Sequence, residues 1–127
     1  LAMYASARAD EAAAKAAAEN AAMTWLHLID DGKYSQSWSS SSSYFRGAVN
    51  QLRWEQALQG VRKPLGPVLL RNRASANYTK SFPGAPDGEY VVIQYATSFD
   101  KKRTSIETVT PMLDTDGSWR VGGYFIH

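Results

Sequence analysis

Residues 89–126 read EYVVIQYATSF, DKK, RTSIETVTPML, DTDG and SWRVGGYFI in succession. β-Branched and aromatic residues dominate the three long pieces, and apolar and polar positions alternate along them with the period of two that a half-buried strand requires. The breaks Asp100-Lys101-Lys102 and Asp114-Thr115-Asp116-Gly117 are rich in turn formers and too short for a helical crossover, so consecutive strands must run antiparallel. Upstream, Pro83-Gly84-Ala85-Pro86-Asp87-Gly88 is a third break of the same kind. Before it, Val68, Leu70, Ala74 and Tyr78 alternate with Leu69, Arg71, Arg73 and Asn77. The expected sheet therefore has four strands: Val68 to Lys80, Glu89 to Phe99, Arg103 to Leu113 and Ser118 to Ile126.

Ahead of Pro67 the period is helical. From Arg8 to Asp31 the chain is rich in alanine, and Ala14, Ala18, Ala21, Trp25, Leu28 and Ile29 recur at three- and four-residue steps down one side. Asp10 and Glu11 suit the positive end of this helix's dipole, and Gly32 offers the left-handed residue that ends helices. Asp30 and Asp31 stand at the wrong end of that dipole, a mismatch of tenths of a kcal/mol if exposed, or the mark of a site. Tyr34, Trp38, Ser41 and Phe45 keep helical spacing through the serine run 39–43, which reads as one weak second helix. A third spans Asn50 to Lys63, with Trp54, Leu58 and Val61 as its stripe, before Pro64 and Gly66-Pro67 stop it. The fold class is α+β: helices over residues 8–63 packed on a curved antiparallel sheet over residues 68–127, in one domain covering 1–127.

Taking Lys101-Lys102 and Asp116-Gly117 as the central pairs of two-residue turns sets Phe99 opposite Thr104, Tyr95 opposite Thr108 and Met112 opposite Val121. One face then carries Val91, Ile93, Tyr95, Phe99, Ile106, Thr108, Met112, Trp119, Val121 and Phe125, an apolar surface for the helices to cover. The other carries Tyr90, Val92, Gln94, Ala96, Glu107, Val109, Leu113, Arg120, Tyr124 and Ile126. That set is too apolar for a fully solvated face and too polar for a core, so it either binds something or is half covered by the chain itself.

The 127 residues suffice to bury a core without covalent staples. With no cysteine, disulfides, thiolate catalysis and iron–sulfur ligation are excluded. Fourteen basic against twelve acidic residues leave a net charge of +2, too small to draw the chain to nucleic acid or to anionic lipid. No stretch approaches the roughly 20 apolar residues of a membrane span, so no transmembrane segment is expected. The opening Leu1-Ala2-Met3-Tyr4 lacks the basic-then-apolar pattern of a signal peptide and an initiator methionine, and a trimmed leader is the expectation.

Chemistry-bearing residues are sparse. His27 and His127 have neither paired-histidine spacing nor flanking carboxylates, so no metal site is expected, and no glycine-flanked serine elbow or phosphate loop occurs. No catalytic residue is assigned and no cofactor is implied. Glu107 is the one carboxylate inside an expected strand, either in a cross-strand ion pair with Arg120 worth at most about 1 kcal/mol or in contact with a ligand. Arg62 and Lys63 either cap their helix or hold an anion.

Several strings resemble a known family: Trp25-Leu26 with Asp30, Gly32, Tyr34 and Ser37-Trp38; Arg62-Lys63-Pro64-Leu65-Gly66; Pro83 through Tyr90; Glu107-Thr108-Val109-Thr110; Asp116 through Val121; and Gly123-Tyr124. In these the chain is similar to the bacterial domain of unknown function 4019, over nearly its whole length after Ala13, with the serine run departing from the pattern. The resemblance implies a small exported protein, periplasmic or secreted, normally made with a signal peptide and with no assigned reaction. The order of helices and sheet is also similar to cystatin-like and nuclear-transport-factor-like folds, an analogy that carries no function by itself.

Two readings of function follow. In the first, a non-catalytic domain binds a protein partner or itself through the mixed sheet face, with Tyr90, Gln94, Glu107, Val109, Arg120 and Tyr124 as contacts. In the second, a small-ligand binder or enzyme uses a pocket between helices and sheet lined by Trp54, Arg62 and Tyr95, with Glu107 as acid or base.

Overall fold

The computed structural model describes residues 2–127, with side chains from Asp10 onward; the opening Leu1-Ala2-Met3-Tyr4 lies outside what can be read as contacts. Helix α1 runs Ala2–Asp30, α2 Tyr34–Ser39, α3 Ser43–Ala48 and α4 Gln51–Val61, followed by a 3-10 turn at Lys63–Leu65. The strands are β1 Val68–Thr79, β2 Tyr90–Phe99, β3 Lys102–Leu113 and β4 Trp119–Ile126, in one antiparallel sheet of order β1-β2-β3-β4. This is the expected α+β arrangement of N-terminal helices followed by a four-stranded sheet. No helix among the described residues is long and apolar enough to cross a membrane.

Gly32, at φ +76°, closes α1 with a Schellman pair: its N–H donates to Ile29 O (3.0 Å), and Lys33 N–H donates to Leu28 O (2.8 Å). The serine run does not form one helix. Ser42 N–H donates to Val121 O (2.8 Å) on β4, and its side chain accepts from Phe45 N–H (3.1 Å), so the chain breaks after α2 and restarts as the capped α3. Ser37, Ser41 and Ser42 are fully buried. The indole of Trp25 donates to Ser37 O (2.8 Å) and Ser41 Oγ (3.0 Å), while that of Trp54 donates to Ser37 Oγ (2.9 Å), tying α1, α2 and α4 together. Asn50 caps α4 by accepting from Arg53 N–H (2.9 Å).

Strand bounds fall within a residue of expectation; register does not. Phe99 pairs with Lys102, so the β2–β3 turn is Asp100-Lys101, one residue earlier than expected. The cause is tertiary: Asp100 N–H donates to Pro67 O (3.0 Å) and Lys101 N–H to Leu65 O (2.9 Å), pinning the turn to the segment after α4. Moving the turn by one residue alone shifts the pairing by two and keeps the faces; a bulge between Thr97 and Phe99 takes one residue back, so Tyr95 opposes Glu107 in place of Thr108, and this net one-residue slip exchanges the faces of β3. Glu107 and Val109 turn inward with no exposed surface, and Ile106 turns outward.

On β4, Pro111 pairs with Val121 and Met112 with Arg120, whereas Val109 pairs with Tyr124. The extra residue is absorbed at Gly122-Gly123, a bulge that flips the rest of the strand. Tyr124 and Ile126 therefore point toward the helices and Phe125 away from them, the reverse of the expected faces. The core joins Ala18, Ala22, Trp25, Leu26 and Ile29 of α1 and Phe45, Trp54 and Leu58 of the later helices to Val91, Ile93, Tyr95, Val109 and Val121.

Candidate functional site

Four of the titratable groups that the topology gathers between helices and sheet come from places far apart in the chain. Asp30 ends α1, Arg62 follows α4, Arg71 lies on β1, and Glu107 lies at the centre of β3. Bulges between Val68 and Leu70 and between Arg73 and Ser75 set the β1 register that pairs Arg71 with Thr97 on the inner face.

The Arg71 guanidinium bridges both acids. Its Nε donates to Glu107 Oε1 (2.7 Å), its Nη1 to Asp30 Oδ2 (2.8 Å), and its Nη2 to Asp30 Oδ1 (3.0 Å) and Glu107 Oε2 (3.3 Å). Arg62 Nη2 donates to Asp30 Oδ1 (3.1 Å) and Nη1 to Gly66 O (2.6 Å), with the guanidinium 4.7 Å from the Phe99 ring centre. Thr97 Oγ1 donates to Glu107 Oε1 (2.7 Å), and the Tyr124 hydroxyl donates to Glu107 Oε2. Each carboxylate oxygen thus has at least one donor, and two guanidiniums face two carboxylates.

Burial pushes the Asp30 carboxyl up, but the hydrogen bonds and charges of Arg71 and Arg62 outweigh it and leave the group below the usual carboxylate range. Burial and then the charge and hydrogen bond of Glu107 push the Tyr124 hydroxyl far above the usual tyrosine range. Burial alone would lower Arg71; its bonds to Asp30 and Glu107 raise it instead. Tyr95, beside the cluster, is pushed up to about 12, chiefly by burial, and its hydroxyl has no partner among the described residues.

Most sequence-derived site residues are redistributed by the register. Glu107 does not pair with Arg120: it is fully buried on the inner face and bonded to Arg71, and Val109 is buried beside it. Tyr124 is likewise inward, packed edge-on against Trp25 (5.2 Å). Arg120 stays at the start of β4, held by Asp116 (3.1 Å) and Ser118 (2.9 Å). Tyr90 is on the outer face but covered by the loop between β1 and β2, where Phe82 stacks on it (5.6 Å) and its hydroxyl donates to Pro86 O. Gln94 alone of the set is both outward and exposed. Of the alternative trio, Trp54 and Arg62 line a cleft between α4 and β4; Tyr95 lies elsewhere in the core.

Sequence reading singled out Asp30 for its dipole mismatch, Arg62 and Glu107, but not Arg71 or Thr97. A basic residue in an otherwise alternating strand was the available signal for Arg71, and the β1 bulges removed its meaning. Among the described residues no three histidine, aspartate or glutamate side chains gather as a metal site would require.

Fold and site together define an α+β protein closed around a charge-balanced, hydrogen-bonded ionic core. Residues 21–124 match the family described as "Protein of unknown function (DUF4019)", and the chain belongs to that family. Among curated proteins, none matches it.

Proposed function

We propose that this chain is a non-catalytic interaction domain that makes its contacts through the open half of the sheet's outer face, and that it works in the periplasm or after secretion. One observation carries the contact surface. Leu70, Ile106 and Phe125 are large apolar side chains 59%, 43% and 51% exposed, on three strands of one face. The ladder places Ala96 beside Ile106 and Thr108 beside Phe125, so the patch is continuous across β2, β3 and β4, with Gln94 on its polar margin. At the Tyr90 end of the face, Phe82 of the β1–β2 loop stacks on Tyr90 and covers it.

A catalytic role finds less support, because Asp30, Glu107, Arg62 and Arg71 are bonded to one another and no free acid or base faces the α4–β4 cleft. The occupant proposed for the open face is a second copy of the chain. An open apolar face can meet its own copy across a two-fold axis, and a net charge of +2 opposes such pairing only weakly.

Light scattering after size exclusion, over a wide concentration range, should show a dimer that dissociates on dilution. Ile106→Lys and Leu70→Lys should leave a monomer with unchanged circular dichroism. A strict monomer at every concentration, with both variants indistinguishable from the parent, overturns the reading. The export proposal rests on the family resemblance; recovery of tagged full-length gene product in the cytosolic fraction would overturn that part.

A further inference from the structure

The connection from α4 to β1, residues 62–67, crosses the same end of the sheet as the β2–β3 turn, and two backbone bonds lock them together: Asp100 N–H donates to Pro67 O (3.0 Å) and Lys101 N–H to Leu65 O (2.9 Å). We propose that this end of the molecule docks on a surface of anionic phospholipid, lying on the headgroups without spanning the bilayer.

Charge is the first reason. Lys63, Lys101, Lys102 and Arg103 are all exposed here. Among the described residues Asp100 alone comes within ion-pair distance of any of them, 3.5 Å from Lys101 and 3.9 Å from Arg103. Four cations against one acid leave this end at +3, more than the +2 of the whole chain, while Asp31 and Lys33 in the neighbouring α1–α2 turn offset each other. The antiparallel meander puts the β1–β2 loop and the β3–β4 turn at the far end, where Asp87, Glu89, Asp114 and Asp116 outnumber Lys80 and Arg120. A charge of +2 spread evenly would draw the chain to no lipid; separated in this way, it turns the basic end toward an anionic surface. Apolar surface at the same place is the second reason, and it favours lipid over an acidic peptide. Val61 and Leu69, at the two ends of the connection, are 58% and 51% exposed. Pro64 and Pro67 are exposed between them, and Leu69 is the residue that the first β1 bulge leaves unpaired. Aliphatic groups interleaved with lysines suit the boundary of headgroups and acyl chains, where the cations meet phosphate and the aliphatic groups leave water. A soluble polyanion would engage only the charges. Leu70, next in sequence, belongs to the sheet-face patch, so the test leaves it untouched.

That test is flotation of the full chain with vesicles of phosphatidylcholine, alone or with phosphatidylglycerol added. Mixed vesicles should carry the chain and neutral ones should not. Binding should fall roughly tenfold or more between about 0.1 M and about 1 M salt, as the screening length drops from about 10 Å to about 3 Å. Lys101→Glu combined with Lys102→Glu should lose roughly tenfold in affinity or more, and Leu69→Ser about fivefold. Both should keep the parent's circular dichroism and its association in light scattering, so that vesicle binding is read apart from pairing through the sheet face. Because the chain has no cysteine, a fluorophore on Leu69→Cys reports the contact directly. Its emission should shift to the blue with mixed vesicles, and that of one on Thr115→Cys, at the far end, should not. No binding to mixed vesicles, parent-like binding by the lysine double variant or by Leu69→Ser, or a blue shift at Thr115→Cys equal to that at Leu69→Cys overturns the proposal. Binding of soluble polyglutamate as tight as that of mixed vesicles would point to an acidic protein partner and overturn it as well.

Discussion

A carboxylate with no solvent exposure, such as that of Glu107, persists in a folded chain only where donors replace the water it has lost. Here Arg71, Thr97 and Tyr124 supply them. Removing the carboxylate leaves Arg71 buried against Asp30 alone, and breaking one partner out of a buried pair typically costs about 3–5 kcal/mol. Glu107→Ala should therefore destabilise by an amount in that range in urea unfolding. Tyr124→Phe keeps the ring against Trp25 but strips one donor from Glu107 Oε2, whose remaining bond to Arg71 is 3.3 Å. Its expected cost is smaller, about 1–3 kcal/mol. The order matters more than either value: were Tyr124→Phe the costlier change, Glu107 would not be the residue that holds the cluster together.

At the level of elements, the bulge in β4 decides which side chains meet the helices, and its two glycines are not equivalent. A Cβ on Gly122 would stand 2.7 Å from Met112 Sδ and 3.2 Å from its Cγ, whereas one on Gly123 would meet nothing closer than Thr110 Cβ at 3.9 Å. Gly122→Ala should cost about 1–3 kcal/mol, Met112 giving way part of the distance, and Gly123→Ala much less. Thermal unfolding of both variants, and of Gly122→Ala combined with Met112→Ala, checks this: the double variant should show a coupling that recovers part of the loss. The same bulge marks the limit of what could be read from sequence. Strand ends were legible because turn formers and β-branched runs are local signals. Which face Glu107, Val109, Tyr124 and Phe125 occupy was not, because it rests on single-residue shifts. One is set by the bulge between Thr97 and Phe99, next to the Asp100-Lys101 turn that Pro67 and Leu65 hold, the other by Gly122-Gly123. The break in the serine run was hidden for a related reason: Ser42 turns its N–H to β4, a partner far away in sequence. Asp30, Arg62 and Glu107 each carried a local oddity that drew notice, but only the fold could bring them onto Arg71.

Across the whole molecule the ionic cluster ties α1, the end of α4 and all four strands into one unit, so its protonation is read out as global stability. Asp30 has a folded pKa below its unfolded value, so the unfolded chain binds its proton more readily as pH falls. Its contribution is present above about pH 4 and is lost as pH drops below that. Asp114 acts in the same direction: burial pushes it up, but bonds from Ser43 and the Thr115 N–H outweigh that and hold it down. At the other extreme, Tyr124 has a raised folded pKa, as do Tyr95 and Tyr78, each pushed up to about 12. The unfolded chain loses these protons near pH 10 while the folded chain keeps them, so the unfolded state binds fewer protons and stability must fall as pH rises from about 10 to 12. Urea midpoints across both ends should therefore trace a plateau with an acid and an alkaline decline. Tyr124→Phe should lie below the parent on the plateau because a donor is gone. Above pH 10 it should fall less steeply, because one of the shifted protons no longer exists, while its acid decline, to which Asp30 and Asp114 contribute, keeps the parent's position. An alkaline slope equal to the parent's would mean that Tyr124 does not hold its proton against Glu107, and a displaced acid limb would mean that the hydroxyl also supports Asp30 through Arg71.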